Sequence, residues 1–316
     1  MARCFSLTAS GNWCLAFVFR SSGLRSTVTD LGDGTIMHCW VPKTRKPTKP
    51  NLVLIHGFGA NAMWQWSETI RVLISHFNIY VPDLIFFGDS FTTRPERSES
   101  FQAQCVMRVM DVNSVDKMTV VGLSYGGFVA YSMAAQFEER IERVVICCAG
   151  VCLEEKDLTE GLFPVGEVEA AADILVPQTA EKMRELMRFT FVKPPKRLPT
   201  FFLNDFIQEM CTQYVEEKKE LIRAIPKDRK LSDLTKITQP TLIVWGDQDK
   251  IFPLELGHRL KRHLGEKAQL VIIKNTGHAF IYEKPRLCHK HLKSFLIVSA
   301  APPPPTSPLP NLQNGK

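Results

Sequence analysis

The sequence lacks any apolar run approaching the ~18 residues that a membrane-crossing helix needs, which excludes an integral membrane segment and leads to the expectation of a soluble protein. It has no Cys-x-x-Cys pair. The nine cysteines (Cys4, Cys14, Cys39, Cys105, Cys147, Cys148, Cys152, Cys211 and Cys288) are odd in number, with no His-rich spacing around them. That pattern argues against both a zinc site and a disulfide framework and fits a reducing compartment. Acidic residues are missing from the first 29 positions, which carry three arginines and many serines and threonines. Organelle transit peptides share this composition. Residues 13–19, however, form a short apolar run able to pack as an amphipathic segment, so a cytoplasmic location is expected and a plastid is the alternative. A basic face spread over the whole chain is also missing. Net charge is +6, but the first fifty residues hold seven Lys and Arg against Asp30 and Asp33, leaving a nearly neutral remainder. No nucleic-acid partner is expected from so local an excess.

What remains is ordinary globular composition, 45% hydrophobic and 23% charged, enough apolar material for a buried sheet. Short β-branched runs at 51–55, 77–81, 118–121, 143–147, 241–245 and 269–273 read as strands buried on both faces. Residues 26–41 read as a hairpin turning at Gly32-Asp33-Gly34. Helices are expected over 64–76, 98–113, 126–137, 254–264 and 284–296. This alternation predicts an α/β protein with a mostly parallel sheet flanked by helices. Between residues 151 and 228 the alternation stops, and helical patches at 179–189 and 204–225 read as an insertion. Its phenylalanines, Phe163, Phe189, Phe191, Phe201, Phe202 and Phe206, are expected mostly to pack the insert on the core, with a minority lining a pocket. The division is therefore 1–25, a basic amphipathic segment; 26–150, first part of the core; 151–228, helical cap; 229–298, second part of the core; and 299–316, a disordered Pro-rich tail.

The chemistry concentrates at Gly122-Leu123-Ser124-Tyr125-Gly126-Gly127, a turn between an expected strand and an expected helix. This is the context of a nucleophile elbow: the turn is so sharp that the residues two before and two after the serine must lack side chains. Ser124 then sits at the carboxyl edge of the sheet and at a helix amino end. His56-Gly57-Phe58-Gly59 follows another strand, and the backbone N–H groups of Phe58 and Tyr125 are candidate donors to an oxyanion. His56 lies on that same loop, where a structural hydrogen-bonding role competes with a catalytic one. A base is expected last in the chain, with an acid before it. His278, after the 269–273 strand, fits the base. The acid is Asp247 or Asp249, both after the 241–245 strand; Asp249, deeper in the loop, is preferred. The remaining histidines, including His38, fall on helices or an early strand and read as surface or packing residues.

Taken in order, His56-Gly-Phe-Gly59, Pro82-Asp-Leu84 with Gly88-Asp-Ser90, Gly122-Leu-Ser-Tyr-Gly-Gly127, Trp245-Gly-Asp-Gln-Asp249 and Gly277-His278 leading to Glu283-Lys-Pro285 resemble the α/β-hydrolase superfamily. The likeness extends from Ser26 to about Val298 and points to its capped esterases, lipases and carbon–carbon-bond hydrolases; the overall pattern is similar to plant members. It implies an eight-stranded, mostly parallel sheet, and it favours the second acid of the Trp-Gly-x-x-Asp loop, Asp249. Two departures weigh against carbon–carbon cleavage: Leu123 stands where those enzymes have asparagine, and Ala279 where they have an aromatic residue. A serine nucleophile also excludes the aspartate-based epoxide hydrolases and dehalogenases. Phe86 replaces a glycine of the Asp-Leu-x-Gly-x-Gly loop.

The resulting expectation is a serine hydrolase of carboxylic esters with an apolar acyl group, working through an acyl-enzyme. It would use Ser124, His278 and Asp249, with Phe58 and Tyr125 at the oxyanion and neither metal nor organic cofactor. The alternative is a small-molecule, hormone-like receptor on the same fold with little or no turnover.

Overall fold

The computed structural model describes residues 6–195 and 197–297. The expected Pro-rich tail at 299–316, together with Arg3 and Cys4, lies outside the described residues. The chain enters with helix α1 (Leu7–Ser21) and the hairpin β1 (Leu24–Asp30) and β2 (Thr35–Pro42). There follow β3 (Asn51–Ile55), α2 (Ala62–Leu73), β4 (Asn78–Pro82), the two-residue β5 (Phe91–Thr92), α3 (Glu99–Val112), β6 (Met118–Leu123), α4 (Tyr125–Gln136) and β7 (Ile141–Cys147). Five helices are then inserted: α5 (Lys156–Thr159), α6 (Val168–Leu175), α7 (Ala180–Thr190), α8 (Thr200–Met210) and α9 (Val215–Ala224). The core resumes with β8 (Thr241–Gly246), α10 (Leu254–Leu264), β9 (Ala268–Ile273), α11 (Phe280–Glu283) and α12 (Pro285–Leu296).

The strands lie in the order β1-β2-β4-β3-β6-β7-β8-β9, with β5 paired to β2 off this path. The three strands from β1 to β4 pair antiparallel, and every pairing from β4 through β9 is parallel. The run β3, β4, β6 and β8 is buried at every residue, as apolar strands covered on both faces by helices must be. β9 departs from that expectation. It is the edge strand, and Gln269 is exposed while Leu270, Val271 and Ile272 are half-buried. From β3 the chain steps outward to β4 and then returns to the other side of β3 to form β6. Such a reversal opens a crevice at the carboxyl ends of the strands, where open α/β sheets hold their ligands.

Local signals set the helix ends. Asn61 caps α2 by accepting from Trp64 N, and Ser98 caps α3 by accepting from Phe101 N. In α10 the buried face is Leu256, Gly257, Leu260 and Leu264, at helical spacing, and the last turn is basic. The insertion is where the sequence reading fails most. The single patch expected over 204–225 is two helices, because the chain breaks after Met210 and restarts at Tyr214, which holds a left-handed φ of 52°. α6, only eight residues long, escapes periodicity analysis altogether. Phe86, the residue in place of a glycine, takes the φ of 75° that the glycine would supply; Arg97 lies over its ring and Tyr214 packs beside it.

Candidate active site

Ser124 sits between the last residue of β6 and the first of α4, with φ 54° and ψ −123°, a backbone conformation few non-glycine residues hold. The glycines around it are enforced by contact. A Cβ on Gly122 would stand 2.1 Å from the Gly126 carbonyl oxygen, and one on Gly126 would stand 2.3 Å from the Ile55 carbonyl oxygen. The serine is thus fixed on a turn that passes directly over the end of β3. Gly57, just past that end, lies against the Ser124 side chain, since a Cβ there would lie 2.7 Å from Ser124 Cβ.

Three side chains meet at this point. Ser124 Oγ is 2.8 Å from His278 Nε2, and His278 Nδ1 is 2.8 Å from Asp249 Oδ2. The other oxygen of Asp249 accepts from the backbone N–H groups of Ile251 and Phe252, so the carboxylate is buried yet satisfied. Asp247 is directed elsewhere: its carboxylate accepts from Thr276 N and braces the loop that carries the histidine. His56 is not available as a base at Ser124. Its Nδ1 donates to the Gly57 carbonyl, its Nε2 accepts from Leu84 N, and complete burial pushes its pKa down.

The Phe58 N–H makes no hydrogen bond to another described residue, and Tyr125 is the first residue of α4, where N–H groups have no partner inside the helix. Their side chains pack edge to face, 5.2 Å apart. The loop around Phe58 is held by Gln65, which accepts from Gly57 N and donates to the carbonyls of Gly57 and Phe58. Sequence reasoning missed Gln65, which carries no signal beyond lying on the helix after the loop. It also missed Cys148. This residue has a left-handed φ of 46°, and its Sγ, an Asp249 carboxylate oxygen and a His278 ring nitrogen lie within 4.8 Å of one another. Burial, with the Asp249 charge beside it, pushes the Cys148 thiol well up, so it remains protonated behind the acid. Glu283, seen before only as part of a motif, accepts from Gly277 N and Val192 N, pinning the histidine loop to the end of α7.

A cavity of about 390 Å³ opens on Ser124 and His278. Its walls are overwhelmingly apolar and come from both layers: Trp64 and Ile281 from the core, Met187, Phe191, Phe202 and Phe206 from the insertion. A smaller apolar cavity lies beside it and shares Leu175; Phe163 and Phe189 line it. More of the insert phenylalanines than expected line a cavity, while Phe163, Phe191 and Phe206 also pack on the core residues Phe252, Tyr282 and Trp64. Five of the six line a cavity, and the sixth, Phe201, is 67% exposed. Among the described residues no helix is long and apolar enough to cross a membrane.

Residues 50–285 match the family model described as the alpha/beta hydrolase fold. The monoacylglycerol lipase abhd6-A of Xenopus laevis is 26% identical over 83% of this chain and 80% of its own length. The 2-hydroxy-6-oxo-2,4-heptadienoate hydrolase of Pseudomonas putida is 28% identical over 78% of this chain and 88% of its own. Among solved structures, Lip1 of Acinetobacter baumannii AYE, ascribed to the lipases, superposes with a TM-score of 0.78 at 25% identity, covering 94% of this chain and 98% of its own. A family-model match over most of the chain settles the lineage: this chain belongs to the alpha/beta hydrolase fold family.

Proposed function

We propose that the protein is a serine hydrolase of carboxylic esters with an apolar acyl group. The observation that carries this reading is the unbroken row from Asp249 through His278 to Ser124 Oγ at the wall of an apolar cavity. In the proposed reaction Ser124 Oγ attacks the ester carbonyl while His278 Nε2 takes its proton. Asp249 holds the ring with Nδ1 protonated and stabilises the imidazolium. The carbonyl oxygen, now an anion, is received by the N–H groups of Phe58 and Tyr125 at the amino end of α4. His278 returns the proton to the departing alcohol, and water, activated the same way, releases the acid and restores Ser124. The inserted helices act as a cap that shapes the acyl pocket and keeps bulk water from it. The names of the lipase relatives support this substrate class.

The test is to treat the full-length protein with a fluorophosphonate probe and to assay a series of p-nitrophenyl esters from acetate upward, for the wild type and Ser124→Ala. The reading requires an adduct on Ser124 and turnover that rises with chain length and vanishes in the variant. A wild type that neither labels at Ser124 nor turns over any ester would overturn it in favour of a binding role.

A further inference from the structure

A second hydrogen-bonded row of the same three residue types lies outside this site. Asp83 Oδ2 is 2.7 Å from His38 Nδ1, and His38 Nε2 is 2.9 Å from Ser26 Oγ. Asp83 and His38 are 5% and 4% exposed, whereas Ser26 is exposed. The row is built by the hairpin. Ser26 pairs with Trp40 and Val28 with His38, so Ser26, His38 and Trp40 share one face of the sheet. Asp83 reaches that face from the residue after β4, held by Ala62 N on Oδ1. All three side chains line a cavity of about 420 Å³ whose wall is mostly polar, bounded by α1, the 83–89 loop and the junction of α8 with α9. It touches the apolar cavity only at Ala60.

We propose that Ser26 is a second reactive serine, activated by His38 and Asp83, and that its cavity admits small polar carboxylic or phosphonic esters. Nδ1 of His38 faces the Asp83 carboxylate and donates to it, which leaves Nε2 to accept the Ser26 proton. Attack of Ser26 Oγ on an acyl carbon forms the new C–O bond as His38 takes that proton. The bond to the leaving alcohol then breaks and His38 returns the proton to it, giving acyl-Ser26 and a free alcohol with all atoms accounted for. Arg20 lines the same cavity and is the group assigned to meet the transient oxyanion. Its guanidinium lies 5.6 Å from the centre of the Trp40 ring, the ring of Ser26's cross-strand partner, and it makes no hydrogen bond to another described residue. What this row lacks is the strained turn and the helix amino end of Ser124. Backbone oxyanion donors each contribute about 10²–10³ in rate, so Ser26 reacts slowly by comparison.

The experiment uses Ser124→Ala full-length protein, fluorophosphonate labelling over hours and peptide mapping by mass. The expected result is an adduct on Ser26, formed roughly 10²-fold or more slower than that on Ser124 in the wild type. It disappears in Ser124→Ala/Ser26→Ala and slows at least tenfold in Ser124→Ala/His38→Gln. No adduct on Ser26, or one whose rate is indifferent to His38→Gln in a protein of unchanged melting cooperativity, overturns the proposal. Labelling of Ser124 in the Ser26→Ala protein reports on the first site separately, so failure of one does not imply failure of the other. Ser26 is exposed on an edge strand, so its alanine variant keeps the fold.

Discussion

The two Ser–His–Asp rows match in their side-chain distances to within about a tenth of an ångström and differ in everything behind them. At Ser124 the backbone is bent into a left-handed turn, flanked by glycines that cannot be replaced and continued directly by helix α4. At Ser26 the backbone is a flat edge strand paired along its whole length. Side-chain hydrogen bonds alone therefore do not distinguish a fast nucleophile from a slow one. The preorganised backbone does, because it supplies the charge stabilisation that a proton relay cannot. Predictions that separate the two rows test that statement directly.

The largest effect is expected at Ser124. Replacing it with alanine should lower kcat/KM for an apolar ester by about 10⁴–10⁶, leaving only what binding and oxyanion donors contribute. Ser26→Ala should leave the same value within about twofold, a contrast read in one assay of initial rates. Next comes the acid. Asp249→Asn keeps the shape but removes the charge that fixes the His278 tautomer, and a drop of about 10³–10⁴ in kcat is expected. Asp247→Asn, which alters a brace on Thr276 N and a long ion pair with Lys274, should cost less than about tenfold; equal losses in the two variants would show that the row does not run through Asp249 alone.

The same contrast explains what was legible beforehand. The elbow at Ser124 leaves a mark in sequence because its sterics demand glycine at 122 and 126, and Asp249 and His278 follow strands that short β-branched apolar runs reveal. Ser26 and His38 leave none, and Asp83 stands only as part of the Pro82-Asp-Leu84 motif. Their meeting depends on the hairpin register and on the return of the chain after β4, neither of which a local pattern encodes. His38 consequently reads as a packing residue until the register places its two nitrogens. The insertion was legible in its place and in the helix α7, but not in the rest: α6 is too short for a periodic signal, the left-handed residue at Tyr214 splits what reads as one helix, and which phenylalanines face a cavity is set by how the helices lie.

That illegible part is where selectivity is expected to reside. Phe202 lines the apolar cavity beside Ser124 from α8, far in sequence from either row. Phe202→Ala removes apolar contact with the acyl chain but touches no hydrogen bond of the proton relay. The ratio of kcat/KM for an eight-carbon ester to that for acetate should fall about tenfold, the scale on which an apolar pocket discriminates, while acetate turnover changes little. A uniform fall across chain lengths would mean that the cap acts on the relay and not on substrate fit.

The smallest effect concerns pH, and it sets the second row apart from the first in stability. Burial disfavours the His38 cation, yet the hydrogen bond and charge of Asp83 outweigh it and raise His38 above its ordinary 6.5. Burial likewise disfavours the Asp83 carboxylate, but the hydrogen bond and charge of His38 hold it below its ordinary 3.8. A raised histidine contributes stability that is complete below pH 6.5 and lost as pH climbs through its folded value. A lowered aspartate contributes stability that is present above pH 3.8 and lost as pH falls through its own. The two overlap in the interval between these limits, so the melting gap between the wild type and His38→Gln should be widest there and narrow toward pH 9 by on the order of 1 kcal/mol. A gap that instead widens with pH would mean that burial outweighs Asp83, that the folded state holds His38 as neutral imidazole beside the ionised carboxylate, and that His38 does not carry the charge on which its coupling to Asp83 depends.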